Sequence, residues 1–262
     1  MKENTYFARL RERLGEEFRL LRVAVTAADR GTRVPSCPDW DVDQLAHHVA
    51  GAYLHKVECI RQGKFPEDWP PETLDPDPVA VLDEAFAALT EAFDEHRPSD
   101  PAATFLEADQ TVGFWIRRMC HETVVHRLDA ELAAGLEFAP VPADIALDGV
   151  DEFLGLFMGA ATRQWTASYT EVLDGADPRP LAIAAAGEAW TLTTSGSGVE
   201  VSRGSAPTDN PMLENPAAVV SGEPTEVLLW LWGRAADRAV RREGDAVLID
   251  QLQALRDIGT KR

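Results

Sequence analysis

Cys120-His121-Glu122-Thr123-Val124-Val125-His126-Arg127-Leu128-Asp129 is the stretch on which the reading of this chain turns. It lies inside a helical run of about 109–134 that ends at Gly135, a residue type favoured just past a helix end. Glu122 and His126 are four apart, so they project from one helical face about 6 Å from each other. A carboxylate and an imidazole so placed can chelate one divalent ion, as in metal sites built into helical bundles. The stretch is not a zincin motif. That motif needs histidines at i and i+4, whereas His121 and His126 are five apart, so His121 points away from the pair. A Glu/His pair at this spacing is also, and more often, an ordinary surface pair.

Working outward, the pattern around this helix is that of a bundle. Residues 5–29 carry Phe7, Leu10, Leu14, Phe18, Leu21 and Val25 at helical spacing. A turn, 30–38, follows. Asp41, with Gln44 three residues later, then reads as a capping box opening a second helix that runs through Leu45, His48, Val49 and Tyr53 to about Gln62. This helix offers a third metal ligand, His47 or His48. Two histidines and one glutamate leave open positions for water or substrate, the pattern of a catalytic rather than a structural zinc site. Residues 66–78 hold five prolines and read as a loop, and a third helix spans about 79–96. Between 66 and 100 there are 11 acidic residues against the single basic Arg97, which reads as a solvated acidic face.

Another helical stretch covers about 142–169, and the break at Asp174-Gly175-Ala176-Asp177-Pro178 marks a change of texture. Leu181–Ala185, Ala189–Thr194 and Val199–Arg203 are short strand-like runs. A loop at 206–216, a strand around 218–221 and an apolar helix from Glu226 to Arg234 follow. The expected organisation is a helical bundle over 1–172 and a small α+β domain over 173–262.

Composition narrows the function. The 262 residues carry 44 acidic and 25 basic side chains, a net charge of −19. That balance argues against nucleic acid and anionic membrane surfaces as partners. No run approaches the roughly 20 apolar residues of a spanning helix, and no signal peptide is visible at Met1-Lys2-Glu3-Asn4. Cys37, Cys59 and Cys120 are too few and too widely spaced for a disulfide framework or a CxxC zinc site. The reading is a cytoplasmic, reduced protein. Arginine supplies 21 of the 25 basic residues and alanine is abundant, which suits a GC-rich bacterial genome.

Three segments carry a resemblance. Ser36-Cys37-Pro38-Asp39-Trp40-Asp41-Val42, followed by Leu45-Ala46-His47-His48-Val49-Ala50-Gly51, resembles the signature cPdW-t-v-x-d-L-x-x-H-L-x-G of the mycothiol-dependent maleylpyruvate isomerase family. Counted from Trp40 or back from Gly51, the motif histidine falls on His48, not His47. The stretch His121–Ala130 resembles the family's second signature, whose Glu and His bind the same metal. Leu229-Trp230-Leu231-Trp232-Gly233-Arg234 resembles the L-x-x-L-W-G-R motif of its C-terminal domain. The resemblance covers nearly the whole chain. It implies a DinB-like four-helix bundle holding Zn²⁺ through His48, Glu122 and His126, then a small α+β domain similar to sterol-carrier proteins. It also implies mycothiol as the low-molecular-weight thiol cofactor.

The chemistry so implied is addition of a metal-activated thiolate to a small electrophilic double bond, giving cis–trans isomerisation. Thiol S-transfer to a substrate with a leaving group, and non-catalytic binding of a small molecule, are the alternatives. Arg234 is the candidate catalytic residue outside the metal ligands. A chain at −19 repels anions unless a local cation captures them, and guanidinium binds carboxylate bidentately. The other reading is an arginine resting on the last carbonyls of its own helix. With the ligands on the bundle and Arg234 on the second domain, a cleft between them is the expected place of reaction. Asp129, one turn past His126, reads either as a partner orienting that ligand or as a surface carboxylate. His55 reads as pocket lining or a partly exposed histidine, Cys37 as structural, and Trp115 and Met119 as core. The oligomeric state is left open between monomer and homodimer.

Overall fold

The computed structural model describes residues 2–67, 69–70, 75–205 and 216–260. These fall into two compact units, 1–140 and 141–262. The first is built on four helices: α1 (Lys2–Ala27), α2 (Val42–Gln62), α3 (Pro78–Glu95) and α4 (Val112–Ala133). Helix α1 packs mainly on α4 and α2 mainly on α3, with α2 also against α4. Leu10, Leu14, Leu21, Leu45, Val49, Leu82, Leu89 and Trp115 are almost fully buried between them.

Local chemistry sets the helix ends. Asp41 accepts a hydrogen bond from the Gln44 backbone N–H at 2.9 Å, and Gln44 Oε1 accepts from the Asp41 N–H at 3.0 Å. The expected capping box is therefore present. Asp77 caps α3 by accepting from Val79 and Ala80, and Thr111 caps α4. Gly135 follows α4 in the left-handed region, φ +67°, as expected for a residue past a helix end. Charged groups are also buried in this interior. Arg127, wholly buried, donates to Glu17 at 2.6 Å and to Glu131 at 2.7 Å, so its charge is met on both sides.

Residues 30–38 are more than the turn the sequence suggests. Strands β1 (Arg33–Val34) and β2 (Cys37–Asp41) pair antiparallel with an irregular register. The ribbon is joined to α2 by Val42 N–H to Thr32 O and Asp43 N–H to Arg30 O, both 3.0 Å.

The second unit starts earlier than the 172/173 division expected from the change of texture. Helix α5 (Ala143–Glu152) and the π-helical turn Phe153–Ala160 continue into the short α6 (Ala161–Gln164) and α7 (Thr170–Leu173). Their apolar faces are used within this unit: α5 packs on α8 (Pro224–Leu231), and the π-helical turn packs on strand β5 (Gly198–Ser205). The helical run over 142–169 is thus interrupted rather than continuous.

The unit's five-stranded sheet has the order β5–β4–β3–β6–β7, with β3 Leu181–Ala185, β4 Glu188–Ser195, β6 Ala218–Gly222 and β7 Arg241–Gly244. All pairs are antiparallel except β3/β6. Ala186 and Gly187, both at positive φ, make the tight β3–β4 turn. Helices α8 and α9 (Ala246–Gly259) bury Leu228, Trp230, Leu252 and Leu255. Most of the loop expected at 206–216, and positions 68 and 71–74 of that at 66–78, lie outside the described residues. No described helix is long and apolar enough to cross a membrane.

Candidate metal centre

The capping box fixes the start of α2 and hence the direction in which His48, seven residues past Asp41, leaves the helix. On α4, Glu122 and His126 share one face. The structure brings these three together, with ligand atoms all within 4.8 Å of one another. His48 Nε2 lies 3.4 Å and His126 Nε2 3.3 Å from the same oxygen, Glu122 Oε1. The two imidazoles meet edge to face, centroids 5.0 Å apart.

These spacings test the fit to a metal. Two ligands about 2.0–2.1 Å from a tetrahedral Zn²⁺ lie about 3.3–3.4 Å apart. Both histidine–carboxylate distances match that edge, and a set of two nitrogens and one oxygen suits a borderline ion such as Zn²⁺. The residues present therefore fit the ion. His48, with its side chain 40% exposed, opens the group to solvent, while His126 is at 9% and Glu122 at 17%.

Around the ligands, the second oxygen of Glu122 and the second ring nitrogen of His126 each have a partner. Arg118 donates to Glu122 Oε2 at 2.6 Å, which leaves Oε1 toward the histidines. Burial works to raise the Glu122 pKa, but the charges of His126 and Arg118 overcome it and hold the carboxyl well below the usual range. Burial likewise works to lower the pKa of His126. The Glu122 charge and hydrogen bonds with Asp129 and Glu122 raise it instead, to about 9. Tyr53 Oη and Thr123 Oγ1, 2.5 Å apart and buried, tie α2 to α4 beside Glu122. Asp129, fully buried, is not a surface carboxylate: it lies 3.0 Å from His126 Nδ1.

The other sequence candidates separate cleanly. His47 is engaged elsewhere, its ring nitrogens 2.8 Å and 3.0 Å from the carbonyls of Asp43 and Asp75. His121 is buried and stands outside the ligand group. His55 packs edge-on to Trp69 at 5.0 Å, with Lys56 Nζ 3.1 Å from its Nδ1. Burial, with the Lys56 charge, lowers its pKa to about 4. Trp115 is core, donating Nε1–H to Ala103 O at 2.9 Å, and Met119 is buried beside it. Cys37 Sγ lies 3.8 Å from Asp129 Oδ2. Arg118 was not singled out by sequence, although its i, i+4 spacing to Glu122 was a usable signal.

Arg234 belongs to the other unit. It follows Gly233, at φ +72°, in the turn that closes α8, with Arg234 N–H on Leu229 O at 2.7 Å and Gly233 N–H on Trp230 O at 3.0 Å. Its guanidinium donates to Trp232 O at 2.8 Å and lies 5.9 Å from the Trp232 ring centroid. The contact with its own helix end is therefore real.

Residues 11–131 match the family model described as the mycothiol maleylpyruvate isomerase N-terminal domain, and residues 144–251 that described as the MDMPI C-terminal domain. Among solved structures, the chain is similar to a crystal structure of the mycothiol-dependent maleylpyruvate isomerase. The TM-score is 0.61 and the identity 18%, over 92% of this chain and 94% of that one. A histidine-to-alanine variant of that enzyme matches over the same shares, with 18% identity and a TM-score of 0.59. No curated protein matches the sequence significantly.

Proposed function

Because this chain belongs to the mycothiol-dependent maleylpyruvate isomerase family, we propose that it catalyses thiol-dependent cis–trans isomerisation of a small alkene conjugated to a ketone, with mycothiol as the thiol. The observation that carries the reading is that His48 Nε2 and His126 Nε2 each lie at a tetrahedral edge length from Glu122 Oε1, with all three ligand atoms within 4.8 Å of one another. Zn²⁺ held by two neutral imidazoles and one carboxylate would keep a net charge of about +1 and favour the deprotonated form of a bound thiol near neutral pH.

Each residue then has a task. His48 and His126 offer nitrogen ligands, and Glu122 offers one oxygen while Arg118 holds the other. The partly exposed His48 marks the side from which small molecules reach the centre. We assign to Arg234 the capture of a carboxylate on the substrate or thiol, a task for which the planar guanidinium fork is suited.

The reaction balances without a redox partner. The thiol, when bound, would supply a nucleophile that adds reversibly to the alkene carbon β to the ketone, so that the former double bond could rotate before the thiol leaves unchanged.

The test combines metal analysis with an isomerase assay using mycothiol and, separately, other cellular thiols. The reading expects about one zinc per chain and turnover that depends on the thiol. Full metal occupancy in His126→Ala, or turnover indifferent to thiol, would overturn it. If His47→Ala empties the site and His48→Ala does not, the ligand assignment on α2 is wrong.

A further inference from the structure

We infer that the β1–β2 ribbon is the positioning element of the metal centre: Ser36 steadies His126 through Asp129, and Trp40 steadies His48 through ring contact. The inference rests on the proposed metal site and concerns residues that serve it without touching the ion.

A neutral histidine presents Nε2 to a ligand position when Nδ1 carries the proton, and an acceptor at Nδ1 fixes that tautomer and the ring's orientation. Asp129 supplies that acceptor, with Oδ2 3.0 Å from His126 Nδ1. A fully buried carboxylate must itself be hydrogen-bonded or its charge is too costly to keep. Donors from the ribbon reach it. Ser36 Oγ–H donates to Asp129 Oδ1, and the Cys37 thiol lies 3.8 Å from Oδ2. Ser36 and Asp129 are 93 residues apart in the chain, so neither helical spacing nor local turn chemistry accounts for their meeting.

The same ribbon reaches the second histidine. The Trp40 ring lies 4.4 Å from the His48 ring, centroid to centroid, and 6.0 Å from that of His126. Strand β2 ends at Asp41, the residue that caps α2, and Val42 and Asp43 are hydrogen-bonded back to Thr32 and Arg30. One short element is thus bonded to the start of the helix carrying His48, in tilted ring contact with His48 itself, and hydrogen-bonded to the carboxylate that orients His126. Imidazole orientation on both helices then depends on the ribbon rather than on helix packing alone.

The experiment uses the full chain, stripped of metal and titrated with Zn²⁺ against a chelator and with Co²⁺ followed by its visible absorption. Asp129→Ala is expected to weaken zinc about 10–100-fold. Ser36→Ala should give a smaller loss in the same direction, with Ser36→Thr restoring affinity because the hydroxyl is kept. Trp40→Ala should change the Co²⁺ spectrum, and Trp40→Phe should change it less. Thermal unfolding separates these effects from general destabilisation. If Asp129→Ala does not fold, Ser36→Ala and its threonine rescue carry the test. Wild-type affinity and an unchanged Co²⁺ spectrum in Ser36→Ala and Asp129→Ala would overturn the inference while leaving the metal site standing. Failure of the wild-type chain to take up either metal would overturn both, and His126→Ala gives the reference for loss of a ligand.

Discussion

Zinc uptake should be strongly pH-dependent, and His126 sets the size of the effect. In the metal-free chain, burial works to lower the pKa of this imidazole. The Glu122 charge and its hydrogen bonds with Asp129 and Glu122 outweigh burial and raise it from 6.5 to about 9. A metal ligand must be neutral, so zinc has to displace this proton. Near pH 7, about one chain in a hundred has His126 neutral before metal arrives. The apparent zinc affinity should therefore rise about tenfold for each pH unit from neutrality to about 9, and roughly 100-fold in total through this residue. Calorimetry in two buffers of different ionisation enthalpy should find about one proton released from His126 per zinc near pH 7, falling to about half near pH 9. Chelator-buffered titrations give the affinity over the same window.

The linkage also has a stability side. Because the folded pKa lies above the unfolded value, His126 stabilises the metal-free fold fully below about pH 6.5, and that contribution is lost as the pH rises through about 9. Zinc affinity that is flat between neutrality and pH 9, with little proton release near pH 7, would refute this account of His126.

Four further outcomes are expected. Arg127→Leu leaves Glu131 a buried carboxylate without its cation, while Glu17 keeps its ion pair with Arg13, and should cost about 3–5 kcal/mol in urea unfolding; a change below 1 kcal/mol would mean that water reaches Glu131. Asp41→Ala removes the cap of α2 and should cost about 0.5–2 kcal/mol, read as a lower midpoint in the same assay. Gly244→Ala should be destabilising, because φ is +87° and a Cβ would sit 2.3 Å from Ala217 O; an unchanged melting temperature would show that the β7 turn adapts freely. Arg234→Met should lower kcat/KM by roughly 2 kcal/mol, about 30-fold, with Arg234→Lys intermediate and zinc content unchanged; wild-type kinetics would return Arg234 to its contact with Trp232 O.

What the chain determined by itself is what depends on near neighbours. The Asp41/Gln44 box, the left-handed residue after α4, and the common face of Glu122 and His126 all follow from spacings of three or four residues, and they were legible as such. The strands at 181–185, 189–194 and 199–203 were legible for the same reason, with Gly187 marking a turn between two of them. Other features depended on distant partners. The β1–β2 ribbon holds two prolines, Pro35 and Pro38, and an irregular register, so no alternation announces it, and its pairing is completed by contacts with α2 and α4. The run over 142–169 has helical texture throughout, yet α5 packs on α8, more than 70 residues further on, which moves the unit boundary to 140/141. At the metal centre, spacing put Glu122 beside His126. Choosing His48 over His47 on residues alone required tertiary structure: the packing of α2 on α4 sets His48 Nε2 3.4 Å from Glu122 and leaves His47 on the carbonyls of Asp43 and Asp75. Arg118 was legible from its i, i+4 spacing to Glu122 but was passed over, whereas Ser36 went unread because its partner Asp129, 93 residues on, is fixed by how loop and helix pack, and packing has no period along the chain.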